Sequence, residues 1–174
     1  MTINDPTMPH SLILFAAATA LLFAAAHDVA VRTVPNLVSL IVAAAGLGLN
    51  AMDGQLVQAL FGGGVVFAGA WYLWRRNLIG GGDVKLLTAC VLLVPPILMP
   101  ELILTTALSG GLLALIYIAL ARTLKYSPIP RPEGLPARLW RVELRRIRRG
   151  LSLPYACAIA AGVLLTLCSP KLFS

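Results

Sequence analysis

The chain has 174 residues, of which 59% are hydrophobic and 12% charged, with a formal net charge of +7. That is too apolar for an ordinary soluble domain, where roughly half the residues are apolar and about a quarter charged. The basic excess sits in the connections between apolar stretches, so it reflects membrane topology rather than nucleic-acid binding.

Several stretches of about 20 mostly apolar residues match the length needed to cross a bilayer. The fold class is therefore all-α, a polytopic membrane bundle of about six transmembrane helices, with residues 1–174 forming one domain. The first ten residues lack a basic run, so the first span does not read as a cleaved signal peptide. It covers residues 11–31 and carries Asp28 near its end. Arg32-Thr33-Val34-Pro35-Asn36 then breaks the helix, since proline disfavours its continuation. A second span, rich in alanine and glycine for close helix contact, covers 37–52. Asp53-Gly54 reads as a turn without basic residues.

The third span, 56–74, contains Gly62-Gly63-Gly64 and Gly69. It ends in Trp71-Tyr72-Leu73-Trp74-Arg75-Arg76, an aromatic belt followed by basic anchors. The fourth begins near Asp83 and reaches about Leu98, bent or ended by Val94-Pro95-Pro96. The fifth covers 101–121 and the sixth 152–169. Between those two lies a basic loop, 122–150, with nine of the fourteen Lys and Arg residues. Its first half reads as an extended, proline-rich linker. In its second half Trp140, Leu144, Ile147 and Leu151 recur at helical spacing among arginines. That predicts an amphipathic helix on the anionic headgroups of the membrane surface.

Thirteen of the fourteen basic residues fall on one side of this topology, which makes that side cytoplasmic and places both termini outside. Asp28 and Asp83 come out together at the cytoplasmic face. Asp5, Asp53 and Glu101 fall at the opposite face. A carboxylate in a membrane segment is costly and is read first as functional. Two neighbouring carboxylates cannot both ionise cheaply, so such a pair shares a proton. The ionised member can take a proton from water while the protonated one hydrogen-bonds a scissile carbonyl, which is peptide hydrolysis without a covalent intermediate.

Structural readings compete. Asp83 suits the N-terminus of its own helix. Asp28 opposes the dipole of its helix and is spaced i,i+4 from Arg32 for a salt bridge. Gly80, Gly81 and Gly82 suit unusual torsions and close approach of a substrate backbone. Lys85 lies about 200° around the helix from Asp83 and is expected to face elsewhere, as a topology anchor. His27 reads as a local structural residue. Cys90, Cys157 and Cys168 read as small packing residues, with no metal site and no cofactor implied.

Gly80-Gly81-Gly82-Asp83-Val84-Lys85 resembles the GxGD motif of the type IV prepilin peptidases. Asp28 followed by Val34-Pro35-Asn36 resembles their first catalytic motif, and Pro154-Tyr155 the stretch that opens their last span. The resemblance implies an intramembrane aspartic endopeptidase of the bacterial inner membrane, with Asp28 and Asp83 catalytic. It implies removal of the basic leader of type IV or Flp prepilins or pseudopilins at the cytoplasmic face, just before the substrate's hydrophobic helix. Larger members carry a cytoplasmic insert after the first span, often with paired CxxC motifs, and methylate the new N-terminus. Here residues 29–36 replace it, without cysteine, so a peptidase without methyltransferase activity is expected, similar to the compact peptidases of tight-adherence pili. The alternatives are an archaeal preflagellin-type peptidase and a non-catalytic membrane subunit of a pilus or secretion machine. A proton-relaying transporter is a third reading, disfavoured because the acids sit at one face and no repeat is evident.

Overall fold

The computed structural model describes residues 7–123 and 153–168, with the single positions Gly134, Val142, Leu144 and Arg145 between them. The described residues form six α-helices: α1 Thr7–Val31, α2 Asn36–Met52, α3 Leu56–Arg75, α4 Gly81–Leu93, α5 Met99–Thr123 and α6 Tyr155–Leu167. A short 3-10 turn, Pro96–Leu98, joins α4 to α5. The predicted amphipathic helix lies outside the described residues, apart from helical Val142, Leu144 and Arg145.

Three helical segments are long and apolar enough to cross a membrane: His10–Val31, Leu56–Arg75 and Pro96–Thr123. They turn large side chains outward, among them Phe15, Leu22 and Phe23 on α1, Val57 and Phe61 on α3, and Leu104, Leu108 and Leu112 on α5. Lipid tails are as apolar as these side chains, so the exposure is not a defect in a bilayer.

The expected fourth and sixth spans are shorter in the structure. α4 and α6 have 13 residues each, about 20 Å of helix at 1.5 Å per residue. Both are sheltered by the longer helices. α4 packs against α2, α3 and α6, and α6 against α5 and α1. Leu86, Cys90, Val91 and Leu93 of α4 are buried, as are Ile159 and Val163 of α6. A helix enclosed by protein need not match the bilayer, because its free ends meet protein groups rather than hydrocarbon.

The C-terminal end of α4 shows how this works. Val94 precedes Pro95 and is extended, as the proline ring requires of its neighbour. The helix thus stops with unsatisfied carbonyls. Buried Asn50 on α2 donates from Nδ2 to the Leu92 carbonyl at 2.8 Å and to the Gly46 carbonyl at 2.9 Å. Gly46 lies against the same Leu92 carbonyl so tightly that a Cβ there would collide with backbone. Asn50 therefore caps a helix to which it is not connected in sequence. Asn50→Leu removes the donor and leaves the carbonyl buried, at an expected cost of about 1–3 kcal/mol, seen as a lower melting temperature in detergent.

The odd-numbered helices run towards one end of the bundle and the even-numbered ones back from it. At that end residues of 28–36 and 74–85, with Leu153 and Tyr155 at the start of α6, surround one cavity. At the opposite end His10 Nε2 and Asp53 Oδ1 lie 2.9 Å apart, tying the start of α1 to the α2–α3 turn. The expected separation of Asp53 from Asp28 and Asp83 is what the structure has.

Candidate active site

Asp28 lies near the C-terminal end of α1 and Asp83 in the first turn of α4. Both line a cavity of about 750 Å³.

Each carboxylate is oriented by a backbone N–H. Asp28 is 6% exposed, and its Oδ2 accepts from the Ala156 N–H at 3.2 Å. Ala156 is in the first turn of α6. Asp28 thus opposes the dipole of its own helix but meets the favourable end of another. The sequence gives no hint of this, because the compensating helix begins far along the chain, at Tyr155. Asp83 accepts a hydrogen bond from the Gly80 backbone. Gly80 is the residue before α4 and Asp83 the third within it, so the carboxylate reaches back as the acid of a capping box does.

Of the two uses expected of the glycines, unusual torsion is not found. Among the described glycines positive φ occurs at Gly54 and Gly134 but not at 80–82, and Gly80 has φ −75°. A Cβ at Gly80 would stand 2.9 Å from Asp83 Oδ2, one at Gly81 3.3 Å from Trp74 Nε1, and one at Gly82 3.4 Å from the Val34 Cβ. The room these glycines leave is filled by the aspartate itself, by α3 and by the α1–α2 loop.

Positive φ occurs instead at two non-glycine residues of the cavity wall, Arg32 (61°) and Asn77 (57°). Arg32 directly follows the end of α1, its N–H still donates to the Asp28 carbonyl at 2.8 Å, and it lines the same cavity as Asp28. The left-handed region costs an ordinary L-residue roughly 1–2 kcal/mol, and asparagine tolerates it better than most. Asn77→Ala is expected to lower stability by about 1 kcal/mol, whereas Asn77→Gly should melt close to the parent. Comparing the two melting temperatures checks this.

Lys85 also departs from expectation. It lines the cavity, and its Nζ donates to Asn36 Oδ1 at 3.1 Å. Helical side chains lean towards the N-terminus, so a long chain in the first turns reaches back over the helix end whatever its wheel angle. His27 is structural as expected: its Nδ1–H donates to the Thr33 carbonyl at 2.7 Å and braces the loop after α1. Pro35 precedes α2 and Pro154 precedes α6, each setting a helix start. Tyr155 lines the cavity and packs on Gly110. Trp74 and Asn77 belong to the wall as well, although the sequence marks them only as belt and loop. Cys90 is buried and Cys168 exposed, and the described residues contain no group of three or more metal-ligating side chains.

Asp28 and Asp83 thus share one cavity of a helical bundle with three helices long and apolar enough to cross a membrane. The chain matches the type IV leader peptidase family over residues 15–118 and belongs to that family. It is an intramembrane aspartic-type endopeptidase that acts on prepilin-type substrates, and a multi-pass inner-membrane protein. Neither a comparison with curated proteins nor one with solved structures gave a significant match.

Proposed function

We propose that Asp28 and Asp83 are the catalytic dyad, and that the enzyme removes prepilin or pseudopilin leaders at the cytoplasmic membrane face. The observation that carries this reading is the convergence of both carboxylates on one cavity, at the end of the bundle marked by Arg75, Arg76 and the other loop cations. Arg75 and Arg76 stack on Trp71 and Tyr72 at 5.5 and 5.1 Å, an arrangement suited to a membrane–water boundary.

In the mechanism the pair holds one proton. The ionised carboxylate takes a proton from a water molecule, whose oxygen bonds to the scissile carbonyl carbon. The protonated carboxylate donates to the carbonyl oxygen as charge develops there. Collapse of the tetrahedral intermediate breaks the C–N bond, and the leaving amine takes a proton from the dyad. Backbone N–H groups fix the carboxylates beforehand, so little reorganisation is needed during reaction. The short 29–36 connection supports a peptidase of the compact tight-adherence type, without methyltransferase activity.

The test uses purified protein in detergent with prepilins from the same genome and mapping of the product N-terminus. Cleavage at the junction of basic leader and hydrophobic helix is expected. Prepilins left intact, under conditions in which a known prepilin peptidase cuts them, would favour a non-catalytic assembly subunit instead.

A further inference from the structure

One side-chain contact joins the two segments that carry the aspartates. Asn36 opens α2, and Lys85 follows Asp83 by two residues in α4. Lys85 Nζ donates to Asn36 Oδ1 at 3.1 Å, and both residues line the cavity. We infer that Lys85 and Asn36 are positioning residues, a clamp that sets the separation of Asp28 and Asp83 by tying the N-terminus of α4 to that of α2. The inference rests on the dyad reading above.

The mechanical path is short and braced. From Asp28 the chain passes through Arg32, held in the left-handed region. Thr33 follows, its carbonyl bound by His27. It then enters α2 at Asn36. Across the hydrogen bond, Lys85 belongs to the same first turns of α4 as Asp83. At its far end α4 is already pinned to α2 through Asn50 and the Leu92 carbonyl. The Lys85–Asn36 bond pins the near end to the same helix. Held at two points, α4 has little freedom to tilt against α2, and the tilt is what would move Asp83 relative to the Asp28 segment. The near bond is exposed. An exposed hydrogen bond adds little net stability, so its loss alters where the helix end stands more than whether the bundle folds.

A clamp differs from two simpler roles. If Lys85 only anchored the membrane topology, Asn36 would be dispensable. If Lys85 acted on the dyad through its charge alone, Asn36→Ala would again have no effect, and Lys85→Met would move both limbs of the pH–rate profile in one direction. The other groups facing the dyad across the cavity are Arg32 from the α1–α2 loop and Tyr155 from α6. Trp74 of α3 and Asn77 of its following loop do not titrate, and these groups stay constant across the variants compared.

The experiment measures prepilin cleavage against pH for Asn36→Ala, Lys85→Met, the double variant and Lys85→Arg, with melting temperatures alongside. Lys85→Gln replaces Lys85→Met if the latter does not insert. Misplacement by about 1 Å can cost up to roughly 100-fold, and the clamp is expected to account for about tenfold in kcat, with KM changed less than about twofold. The double variant should be no slower than the worse single one, because both remove the same contact. Lys85→Arg should retain most activity. In Asn36→Ala, which changes no charge, the two limbs of the bell should draw together, since carboxylates held further apart couple less. A wild-type kcat with unmoved limbs in Asn36→Ala overturns the clamp, as does a double variant whose loss is the product of the single losses. Cleavage that persists in Asp28→Asn or Asp83→Asn overturns the dyad itself and the clamp with it, so the two failures are told apart.

Discussion

Asp28→Asn and Asp83→Asn are each expected to lower prepilin cleavage by about 10³-fold or more, while both variants insert and melt at or above the temperature of the parent. General acid–base groups contribute roughly 10²–10⁴ each, and in the proposed dyad the two carboxylates share a single proton, so either loss disables the whole cycle. The double variant should therefore be hardly slower than either single one, as for residues that act as a unit.

The stability half of the expectation separates catalysis from structure. Asparagine keeps the shape, and its carbonyl oxygen can still accept the N–H of Ala156 or Gly80. What it removes is the shared titratable proton, so the remaining carboxylate ionises without a like charge beside it, and relieving that repulsion does not destabilise. The lost interaction with a helix N-terminus opposes this by about 0.3–1 kcal/mol. A purely structural Asp28, present to cap α6, would show the reverse pattern: cleavage retained and any penalty appearing in the melt. Single-turnover cleavage with melting curves on the same preparations decides between them, and an active Asp28→Asn enzyme would sink the two-carboxylate mechanism.

The level of the two aspartates is legible because it depends only on counting spans and placing Arg and Lys residues. Arg32, Arg75, Arg76 and the 122–150 loop mark one side, and Asp28 and Asp83 follow from connectivity. The motif resemblance adds the chemistry. Contacts that depend on two distant segments are not legible. Asn50 reads as the end of a span, and its value lies in the Leu92 carbonyl that Pro95 leaves without an intrahelical donor. Hydropathy merges α4 with residues 94–98 into one span, because Val94, Ile97 and Leu98 are apolar although the chain there is no longer α-helical. The wheel angle of Lys85 gives the direction of its Cβ but not the reach of its ammonium to Asn36. The three glycines announce a special backbone, yet what they face, namely Asp83, Trp74 and Val34, is decided by packing.

The second large effect is expected far from the cavity mouth, at Gly162. There α6 lies directly on α5: an ideal Cβ on Gly162 would stand 2.7 Å from both the backbone nitrogen and the Cα of Thr106. Backbone cannot rotate away as a side-chain tip can, so even Gly162→Ala must push the helices apart. Around this point Thr105 Oγ1 donates to the Gly162 carbonyl at 3.1 Å and lies 3.0 Å from Thr166 Oγ1. Separation would stretch these bonds in an apolar setting where no water replaces them. Overpacking of this kind costs about 1–3 kcal/mol, and Gly162→Val should exceed Gly162→Ala. Gly111 of α5 is the internal control, since a Cβ there meets nothing within 4 Å. Gly111→Ala should hold or raise stability by up to about 1 kcal/mol, because alanine loses less entropy in a helix. The same displacement should also reach the site, because α6 carries the Ala156 N–H that orients Asp28 and the Tyr155 ring that packs on Gly110. Cleavage by Gly162→Ala, measured below its melting temperature, should therefore fall while that of Gly111→Ala does not. Equal melting of the two variants would mean that the α5–α6 contact is looser than its geometry states, and that Asp28 is held by something other than the seating of α6.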